Sequence, residues 1–204
     1  MIFITFEGGE GAGKSTQIEL LLEHLQGRGL DVVSLRDPGG TAISEKIRDI
    51  LKDKENALMT PKTEVLLYLA ARNQMVESLI MPHLDAGKIV LCDRFSDSTL
   101  AYQGYAGGVD ENLEELCRFA ESGIRPDITF LLRINPELGL ARKTGQGELD
   151  RLELKGLEFH EAVAEGFEKI AKNNPERVVA IDATLSPQEI HGIIIKHVDK
   201  ILDI

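Results

Sequence analysis

The sequence has too few cysteines, too few basic residues and too short apolar runs for several large classes of protein. Its two cysteines, Cys92 and Cys117, cannot form a disulfide framework, and neither lies in a CxxC pair or a metal-ligand cluster. A reducing cytoplasm fits this usage best. No apolar run approaches the roughly 18 residues that span a membrane, and segment 1–9 lacks the basic leader of a signal peptide. We therefore expect a soluble protein that is retained inside the cell.

Acidic residues outnumber basic ones by 34 to 23, which gives a formal net charge of -11. This charge opposes close approach to nucleic acid or to an anionic membrane, so we expect neither as a partner. Any phosphate chemistry must use positive side chains gathered at one place. The chain has 204 residues, of which 43% are hydrophobic, and this is enough for one sizeable core. We predict a single domain over residues 1–204.

Five short runs are apolar on both faces, as expected for strands of a parallel sheet that helices cover on both sides. They lie at 2–8, 31–37, 88–94, 127–134 and 177–183. Helical patterns lie between and after them, at 14–26, 43–51, 62–84, 111–122, 136–143, 157–172 and 187–202. This alternation predicts an α/β fold, a three-layer sandwich with a five-stranded parallel sheet and right-handed crossovers.

Segment 141–156, "ARKTGQGELDRLELKG", combines glycines with alternating charge between two helical patterns. Such a composition is typical of a mobile surface excursion. We predict that it forms a lid.

The stretch "GGEGAGKST" contains a glycine-rich loop that matches G-x-x-x-x-G-K-[ST] at Gly8, Gly13, Lys14 and Ser15. The match falls between a predicted strand and a predicted helix, which is the context that the motif requires. Glycines let consecutive backbone N–H groups turn toward one anion, and the helix N-terminus adds positive charge. A turn that only caps the helix is the alternative. The loop predicts binding of a nucleoside triphosphate by Gly8, Gly9, Glu10, Gly11, Ala12, Gly13, Lys14, Ser15 and Thr16.

Within this loop, three residues have distinct expected roles. Lys14 should reach the β- and γ-phosphates, and the Ser15 hydroxyl should ligate Mg²⁺. Thr16 should assist at the α-phosphate. The loop leaves open whether the chain is a motor, a switch or a transferase.

Polar residues at the ends of the other strands are further candidates, because ligands bind outside the carboxyl ends of an open parallel sheet. The segment "RDPGGT" follows the second predicted strand, with a simple loop turn as the alternative. Asp93 and Arg94 follow the third. Asp93 can orient hydrated Mg²⁺ and Arg94 can hold a phosphate bidentately, with a structural ion pair as the alternative.

Tyr68 and Arg72, in "LLYLAARNQ", are four residues apart and share one helix face. One offers a ring for stacking and the other offers donors to a base edge. Without further information, an aromatic residue at helical spacing is more often a core residue.

These segments together resemble the thymidylate kinase family of nucleoside monophosphate kinases. The resemblance rests on "FEGGEGAGKST", "RDPGGT", "LLYLAAR", "DRFSDSTLAYQGY", "RPDITFLL" and "GELDRLE", which occur in the family's order over nearly the whole chain. It implies a P-loop fold and ATP-dependent conversion of dTMP to dTDP with Mg²⁺, usually by a homodimer.

The resemblance also implies roles for residues at matching positions. Tyr68 resembles the ring that stacks on thymine, Arg72 the donor to the pyrimidine carbonyl, and Arg94 the clamp on the acceptor phosphate. The implied metal residues are Ser15 and Asp93. The remaining implied contacts with dTMP are Asp37, Arg48 at the phosphate, Thr99 and Gln103 at the base, Tyr102 beneath the sugar, and Glu10 near the 3′-hydroxyl.

The lid departs from the family's pattern. Some members carry an arginine at the position of Gly11, whereas others supply arginines from the lid, and this chain has Thr144 and Gln146 where such arginines often lie. We expect Arg151 to stabilise the transferring phosphoryl group and Arg142 to lie closer to the adenine or the phosphates. Lys143 is a further candidate, unless it is a solvated surface charge.

Two other functions share some of these motifs. A different nucleotide or small-molecule kinase would have the same phosphate loop, and Tyr68, Arg72 and Tyr102 are the residues that favour a pyrimidine deoxynucleotide. A GTPase switch could use the loop and "DPGG", but the chain has no NKxD segment to read guanine. The expected reaction is direct in-line attack on the γ-phosphate, with no covalent nucleophile.

Overall fold

Five parallel strands form the central sheet of the molecule, in the order β2-β3-β1-β4-β5. The structure is a computed structural model that describes residues 2–109, 112–145 and 149–203. The strands are β1 (Ile2–Glu7), β2 (Val32–Arg36), β3 (Ile89–Asp93), β4 (Ile128–Arg133) and β5 (Val178–Asp182). In register, Phe6 of β1 lies beside Asp93 of β3 and Phe130 of β4. The carboxyl ends of the three middle strands therefore meet at one edge, and the predicted fold class is confirmed.

Helices connect and cover these strands. They are α1 (Lys14–Gly27), α2 (Ala42–Lys52), α3 (Pro61–Met75), α4 (Met81–Asp85), α5 (Ser96–Thr99), α6 (Leu113–Ala120), α7 (Pro136–Thr144), α8 (Leu157–Asn173) and α9 (Pro187–Leu202). A five-residue π-helical segment, Val76–Ile80, joins α3 to α4, so the predicted helix at 62–84 has a wider turn in its middle. The predicted helix at 111–122 is shorter in the structure, which assigns α6 to Leu113–Ala120.

One helical region longer than a single turn was not predicted. The short helix α5 continues into a second π-helical segment, Leu100–Ala106, directly after β3. Buried residues of this region include both polar side chains, such as Ser96 and Thr99, and the aromatic Tyr102. Because the region is enclosed on most sides, it has no amphipathic period for sequence reasoning to detect.

Alternate residues of β1 point to opposite faces of the sheet and belong to two separate hydrophobic clusters, one on each face. Ile4 and Phe6 are fully buried in the cluster that includes Leu21 of α1 and Ile194 of α9. Phe3 belongs to the cluster on the other face. The sheet is thus the middle of three layers. Over the part of the chain that the structure describes, no helix has the length and apolar character to cross a membrane.

Helix α7 lies directly against the glycine-rich loop. A Cβ atom added at Gly139 would lie 2.3 Å from the carbonyl oxygen of Glu10, and one at Gly11 would lie 2.1 Å from the carbonyl oxygen of Gly139. Gly11 also has a φ of +64°, in the left-handed region. The two glycines therefore permit backbone contact between the loop and the helix that leads into the predicted lid.

We predict that Gly139→Ala lowers the free energy of unfolding by about 1–3 kcal/mol, because the new methyl group must push α7 from the loop. Urea denaturation measures the effect. Gly192→Ala is the matched control, since Gly192 also lies in a helix but a Cβ there meets nothing within 4 Å. The control should gain up to about 1 kcal/mol through helix propensity. Equal stability of the two variants would contradict the close contact.

Candidate active site

A cleft of about 680 Å³ opens at the carboxyl edge of the sheet. The phosphate loop and the start of α1 form one wall, and residues of α2, α3 and the region after β3 form another. The predicted site residues that line it are Glu10, Gly11, Ala12, Gly13, Lys14, Ser15, Thr16, Asp37, Arg48, Tyr68, Arg72, Asp93, Arg94, Thr99, Tyr102, Gln103 and Arg142. The cleft thus brings together residues from the first 16 positions and from beyond position 140.

Lys14 follows the glycine-rich loop, and its side chain folds back onto that loop. Its Nζ atom donates to the carbonyl oxygens of Gly8 and Gly9, at 3.1 and 3.0 Å. These two predicted residues do not line the cleft, but they hold the Lys14 side chain that does. Burial and the nearby Arg94 lower the pKa of Lys14. Gly13 has a φ of +88° and gives α1 no side-chain cap. The first N–H groups of the helix are therefore open to an anion.

Ser15 and Asp93 meet because β1 and β3 are neighbours. The Ser15 hydroxyl donates to Oδ2 of Asp93 at 3.2 Å. The other carboxylate oxygen of Asp93 is buried and has no hydrogen-bond partner among the described residues. A hydroxyl and a carboxylate with an unused oxygen are ligands that suit Mg²⁺, directly or through water. The donor set at this point fits the metal that the sequence predicted.

Arg94 connects the loop to the far wall of the cleft. Its backbone has a φ of +69°, which turns the chain sharply after β3. The Nη1 atom donates to the carbonyl oxygen of Gly8 at 3.0 Å and the Nη2 atom donates to Oε1 of Glu10 at 2.7 Å. The guanidinium also lies 5.0 Å above the Tyr102 ring. This position presents a cation beside the phosphate loop.

Glu10 is the acceptor that Arg94 and Tyr102 share. The Tyr102 hydroxyl donates to the same Oε1 atom at 2.7 Å. Burial alone would raise the pKa of Glu10, but Arg94, Lys14 and the Tyr102 hydroxyl together lower it to about 2. Glu10 is therefore a carboxylate at neutral pH, and its hydrogen bonds hold the side chains of Arg94 and Tyr102 in place.

Arg72 is buried, with 1% of its surface exposed, and lies at the centre of a hydrogen-bond network. Its Nε atom donates to Asp37 Oδ2 at 2.5 Å. Its Nη2 atom donates to Thr99 Oγ1 at 2.7 Å and to the carbonyl oxygen of Phe95 at 3.2 Å, and its Nη1 atom donates to Ser96 Oγ. Burial raises the pKa of Asp37, against the opposing effect of Arg72. Four of the five N–H groups of Arg72 thus bind protein atoms and hold the side chain in place. The fifth, on Nη1, has no partner among the described residues.

Tyr68 and Arg48 face the same part of the cleft. Tyr68 is half-buried and lines the cleft, so it is not the enclosed core residue that its helical spacing alone would favour. Burial and the nearby Glu64 raise its pKa. Arg48 donates through Nη1 to the carbonyl oxygen of Pro38 at 2.9 Å. Helices α2 and α3 therefore place a ring and a cation on one wall.

The opposite end of the cleft is more apolar. Leu185, Pro187 and Ile190 line it beside Arg142, whose Nη1 atom donates to the carbonyl oxygen of Ala183 at 3.2 Å. Apolar side chains beside a guanidinium suit an adenine ring. Lys143 also lines the cleft, and its Nζ atom lies 3.4 Å from Glu153.

Arg151 lies outside the cleft, contrary to the position expected for a cation on the transferring group. Its Nη2 atom lies 2.6 Å from Oε2 of Glu64, and its Nε atom donates to the carbonyl oxygen of Leu51 at 2.9 Å. A buried carboxylate and the C-terminal end of α2 hold this side chain. Gln146 lies outside the described residues, and Thr144 donates to the Leu140 carbonyl within α7.

Sequence reasoning missed two buried carboxylates that support the site. Glu7 follows the apolar residues of β1 and accepts from the backbone N–H groups of Phe95 and Ser98. Glu64 precedes Tyr68 by four residues on α3 and contacts both Gln103 and Arg151. The sequence feature that could have indicated Glu64 is its position four residues before Tyr68, which places it one turn earlier on the helix face that Tyr68 and Arg72 share.

A glycine-rich phosphate loop that faces a second, arginine-lined wall can hold two phosphate-bearing ligands in one cleft. The fold and the cleft therefore define the class of P-loop phosphotransferases that act on nucleotides.

Comparison with known proteins identifies the family. The family model described as thymidylate kinase matches residues 6–194, and the chain belongs to the thymidylate kinase family. It is thus a nucleoside monophosphate kinase. Thymidylate kinase from Halalkalibacterium halodurans is 49% identical over 187 residues, which cover 90% of this chain and 89% of the relative. Thymidylate kinase from an Exiguobacterium species is 47% identical over 186 residues, covering 91% of this chain and 88% of the relative.

A solved structure agrees with this assignment. The crystal structure of thymidylate kinase from Ehrlichia chaffeensis superposes with a TM-score of 0.77 at 34% sequence identity, and the match covers 97% of this chain and 98% of that one. The whole architecture, including the five-stranded sheet, is therefore that of the family.

We predict that Glu7 makes stability depend on pH. Burial, and then the nearby Asp97, raise its pKa to about 8, from an ordinary value of 4.5. The folded state therefore keeps a proton that the unfolded chain loses, so the stabilisation is complete below about pH 4.5 and is lost as the pH rises through about 8. Relative to Glu7→Gln, the wild-type free energy of unfolding should fall by up to roughly 1.4 kcal/mol per pH unit in this window.

Urea denaturation at intervals from pH 5 to pH 8 measures the difference between the two curves. Glu23→Gln, at an exposed position on α1, is the control and should run parallel to the wild type. A constant difference between wild type and Glu7→Gln across this range would show that Glu7 ionises normally.

Proposed function

We propose that the protein transfers the γ-phosphoryl group of ATP to dTMP, which yields ADP and dTDP for the synthesis of dTTP. Membership of the thymidylate kinase family gives the reaction, and one observation supports it at the level of residues. Arg94, the proposed clamp on the acceptor phosphate, donates to the Gly8 carbonyl of the donor's phosphate loop. Two nucleotides held by these groups would present their phosphates to one another.

The donor would lie along the phosphate loop. The amides of residues 9–16 and the N-terminus of α1 would cradle its phosphates, with Lys14 moving from the Gly8 and Gly9 carbonyls to the β- and γ-phosphates. Ser15 and Asp93 would hold Mg²⁺, which would neutralise charge on the phosphate oxygens when bound. The adenine ring would lie between Arg142 and the wall formed by Leu185 and Pro187.

The acceptor would lie against α2, α3 and the helical region after β3. Tyr68 would stack on thymine, and the unpartnered N–H of Arg72 would reach a ring carbonyl. Tyr102 would lie beneath the sugar, where its ring, fixed by Glu10, would crowd a ribose 2′-hydroxyl. Arg48 and Arg94 would bind the acceptor phosphate, which favours a deoxynucleoside monophosphate in this half of the cleft.

The reaction would be a direct in-line attack by a dTMP phosphate oxygen on the γ-phosphate. Alignment and neutralisation of two anionic groups supply most of the catalysis, so no covalent nucleophile is needed. Lys14, Arg94 and a cation of the lid region would share the developing charge. Arg142 and Lys143 already line the cleft, whereas Arg151 would first have to leave Glu64, so its role stays a prediction.

We further infer that the enzyme works in a reducing cytoplasm, because Cys92 and Cys117 are both buried free thiols. It would act as a homodimer. Helices α3 and α6 pack together and leave three large apolar side chains exposed, with Leu66 at 59%, Leu116 at 38% and Phe119 at 82%. A second copy of the chain would cover this apolar face.

A coupled assay with ATP tests the proposed reaction, with dTMP, dUMP, UMP, CMP and AMP compared as acceptors. The highest kcat/KM should be for dTMP, and chelation of divalent cations should abolish turnover. Lys14→Ala should lower kcat for dTDP formation by on the order of 10²-fold or more, through loss of a preorganised charge. Lys196→Ala, at an exposed position on α9, is the control. Unchanged turnover in Lys14→Ala would remove this lysine from the mechanism.

The proposed dimer has its own test. Phe119→Glu should convert the protein from dimer to monomer in sedimentation velocity at micromolar concentration, because it buries a charge in the apolar contact. Leu58→Glu is the matched control, since Leu58 is 95% exposed but belongs to the segment between α2 and α3 and not to α3 or α6. A wild-type protein that sediments as a monomer would refute the proposed assembly.

A further inference from the structure

Glu64 is a buried carboxylate with two separate sets of partners. It is 4% exposed. Its Oε1 atom accepts a hydrogen bond from Nε2 of Gln103 at 2.9 Å. Nη2 of Arg151 lies 2.6 Å from the other oxygen, Oε2, and Nζ of Lys155 lies 3.9 Å from Oε1. The carboxylate is therefore paired with cations from the segment before α8 while its Oε1 atom accepts from Gln103.

This contact fixes which way the Gln103 amide points. A carboxylate has lone pairs but no hydrogen to donate, so only the NH₂ group of Gln103 can face it. The carbonyl oxygen lies on the other branch of the amide and makes no hydrogen bond to the residues that the structure describes. Because Gln103 lines the cleft, its oxygen is presented there as an acceptor.

Arg72 presents the opposite kind of group nearby. It donates to Thr99, which is one helical turn before Gln103, and keeps one N–H without a described partner. The acceptor half of the cleft therefore offers a donor from Arg72 and an acceptor from Gln103. Thymine and uracil match this order with an adjacent ring carbonyl and N3–H. Cytosine has the reverse order, an amino group beside an unprotonated N3.

We propose that Glu64 is a specificity-determining positioning residue, which selects pyrimidines that carry an N3–H by locking the Gln103 carbonyl oxygen toward the cleft. This inference rests on the proposed function, because it requires the acceptor base to bind beside Gln103. Glu64 touches no substrate and acts through Gln103 alone. Its cationic partners, Arg151 and Lys155, hold the carboxylate in the place from which it orients the amide.

The test compares dTMP with 5-methyl-dCMP, two acceptors of almost the same shape that differ in the hydrogen-bonding groups at positions 3 and 4. Glu64→Gln replaces a pure acceptor by an amide that can face Gln103 with either end, so the Gln103 amide can rotate. The ratio of kcat/KM for the two acceptors should fall by at least about tenfold, through better use of 5-methyl-dCMP and poorer use of dTMP. An unchanged ratio would overturn the proposal.

A second background separates orientation from general structural damage. Gln103→Leu removes the amide, so adding Glu64→Gln to it should cause no further change in the ratio. An equal effect of Glu64→Gln in both backgrounds would show a structural role and would contradict the proposal. Glu19→Gln makes the same charge change at an exposed position and should leave the ratio at the wild-type value.

A measurement on the wild-type protein covers the case in which Glu64→Gln fails to fold. The Gln103 side-chain NH₂ resonances, assigned by their loss in Gln103→Leu, should exchange with water at least about tenfold more slowly than those of exposed glutamines, because the group is bound to a buried carboxylate. Exchange at the rate of exposed glutamines would overturn the proposal. Failure of the wild type to phosphorylate dTMP would instead refute the proposed function, so the two failures are distinguishable.

Discussion

The ion pair between Arg94 and Glu10 is the interaction on which the arrangement of the cleft depends. Glu10 lies in the loop after β1, and Arg94 lies in the turn after β3. The pairing of these two strands brings both residues to the same edge, and the backbone N–H of Arg94 donates to the Phe6 carbonyl at 2.9 Å. The wall proposed to bind one nucleotide is therefore attached to the loop proposed to bind the other. The strand pairing sets the backbone distance between the two proposed phosphate sites, and the ion pair fixes the side chains across it.

Two buried carboxyl groups, those of Glu7 and Glu64, hold the helical region that follows Arg94. Glu7 binds the amides that open the helical region after Arg94, and Glu64 binds the amide that closes it at Gln103. Both side chains lose their hydration on burial, which is costly unless hydrogen bonds replace it. The residues between positions 94 and 103 are thus anchored at both ends by buried carboxyl groups. Such anchoring explains how an irregular helix with π-type turns can hold Thr99, Tyr102 and Gln103 in fixed positions along the cleft.

The sequence predicted the sheet well because each strand is a continuous apolar run between polar residues. The glycine-rich motif predicted Lys14. Asp93 and Arg94 were predicted because strand ends at one edge of a parallel sheet must converge. The sequence could not predict the region from Ser96 to Ala106, whose enclosed residues follow no surface period. It also placed Arg151 in the cleft, because a sequence shows a charge but not the carboxylate that binds it. Glu64 is 87 positions away in the chain, and only the folded structure brings the two together.

The contact between Gly11 and Gly139 has a consequence for how this protein can change over evolutionary time. A side chain at position 11 would need the space that the Gly139 carbonyl occupies, and a side chain at position 139 would need the space of the Glu10 carbonyl. A mutation that introduced an arginine at position 11 would first displace α7, along with the cations at its C-terminal end. A side chain at position 11 is therefore compatible with this fold only where α7 lies farther from the loop, so an arginine there and the present position of α7 exclude one another.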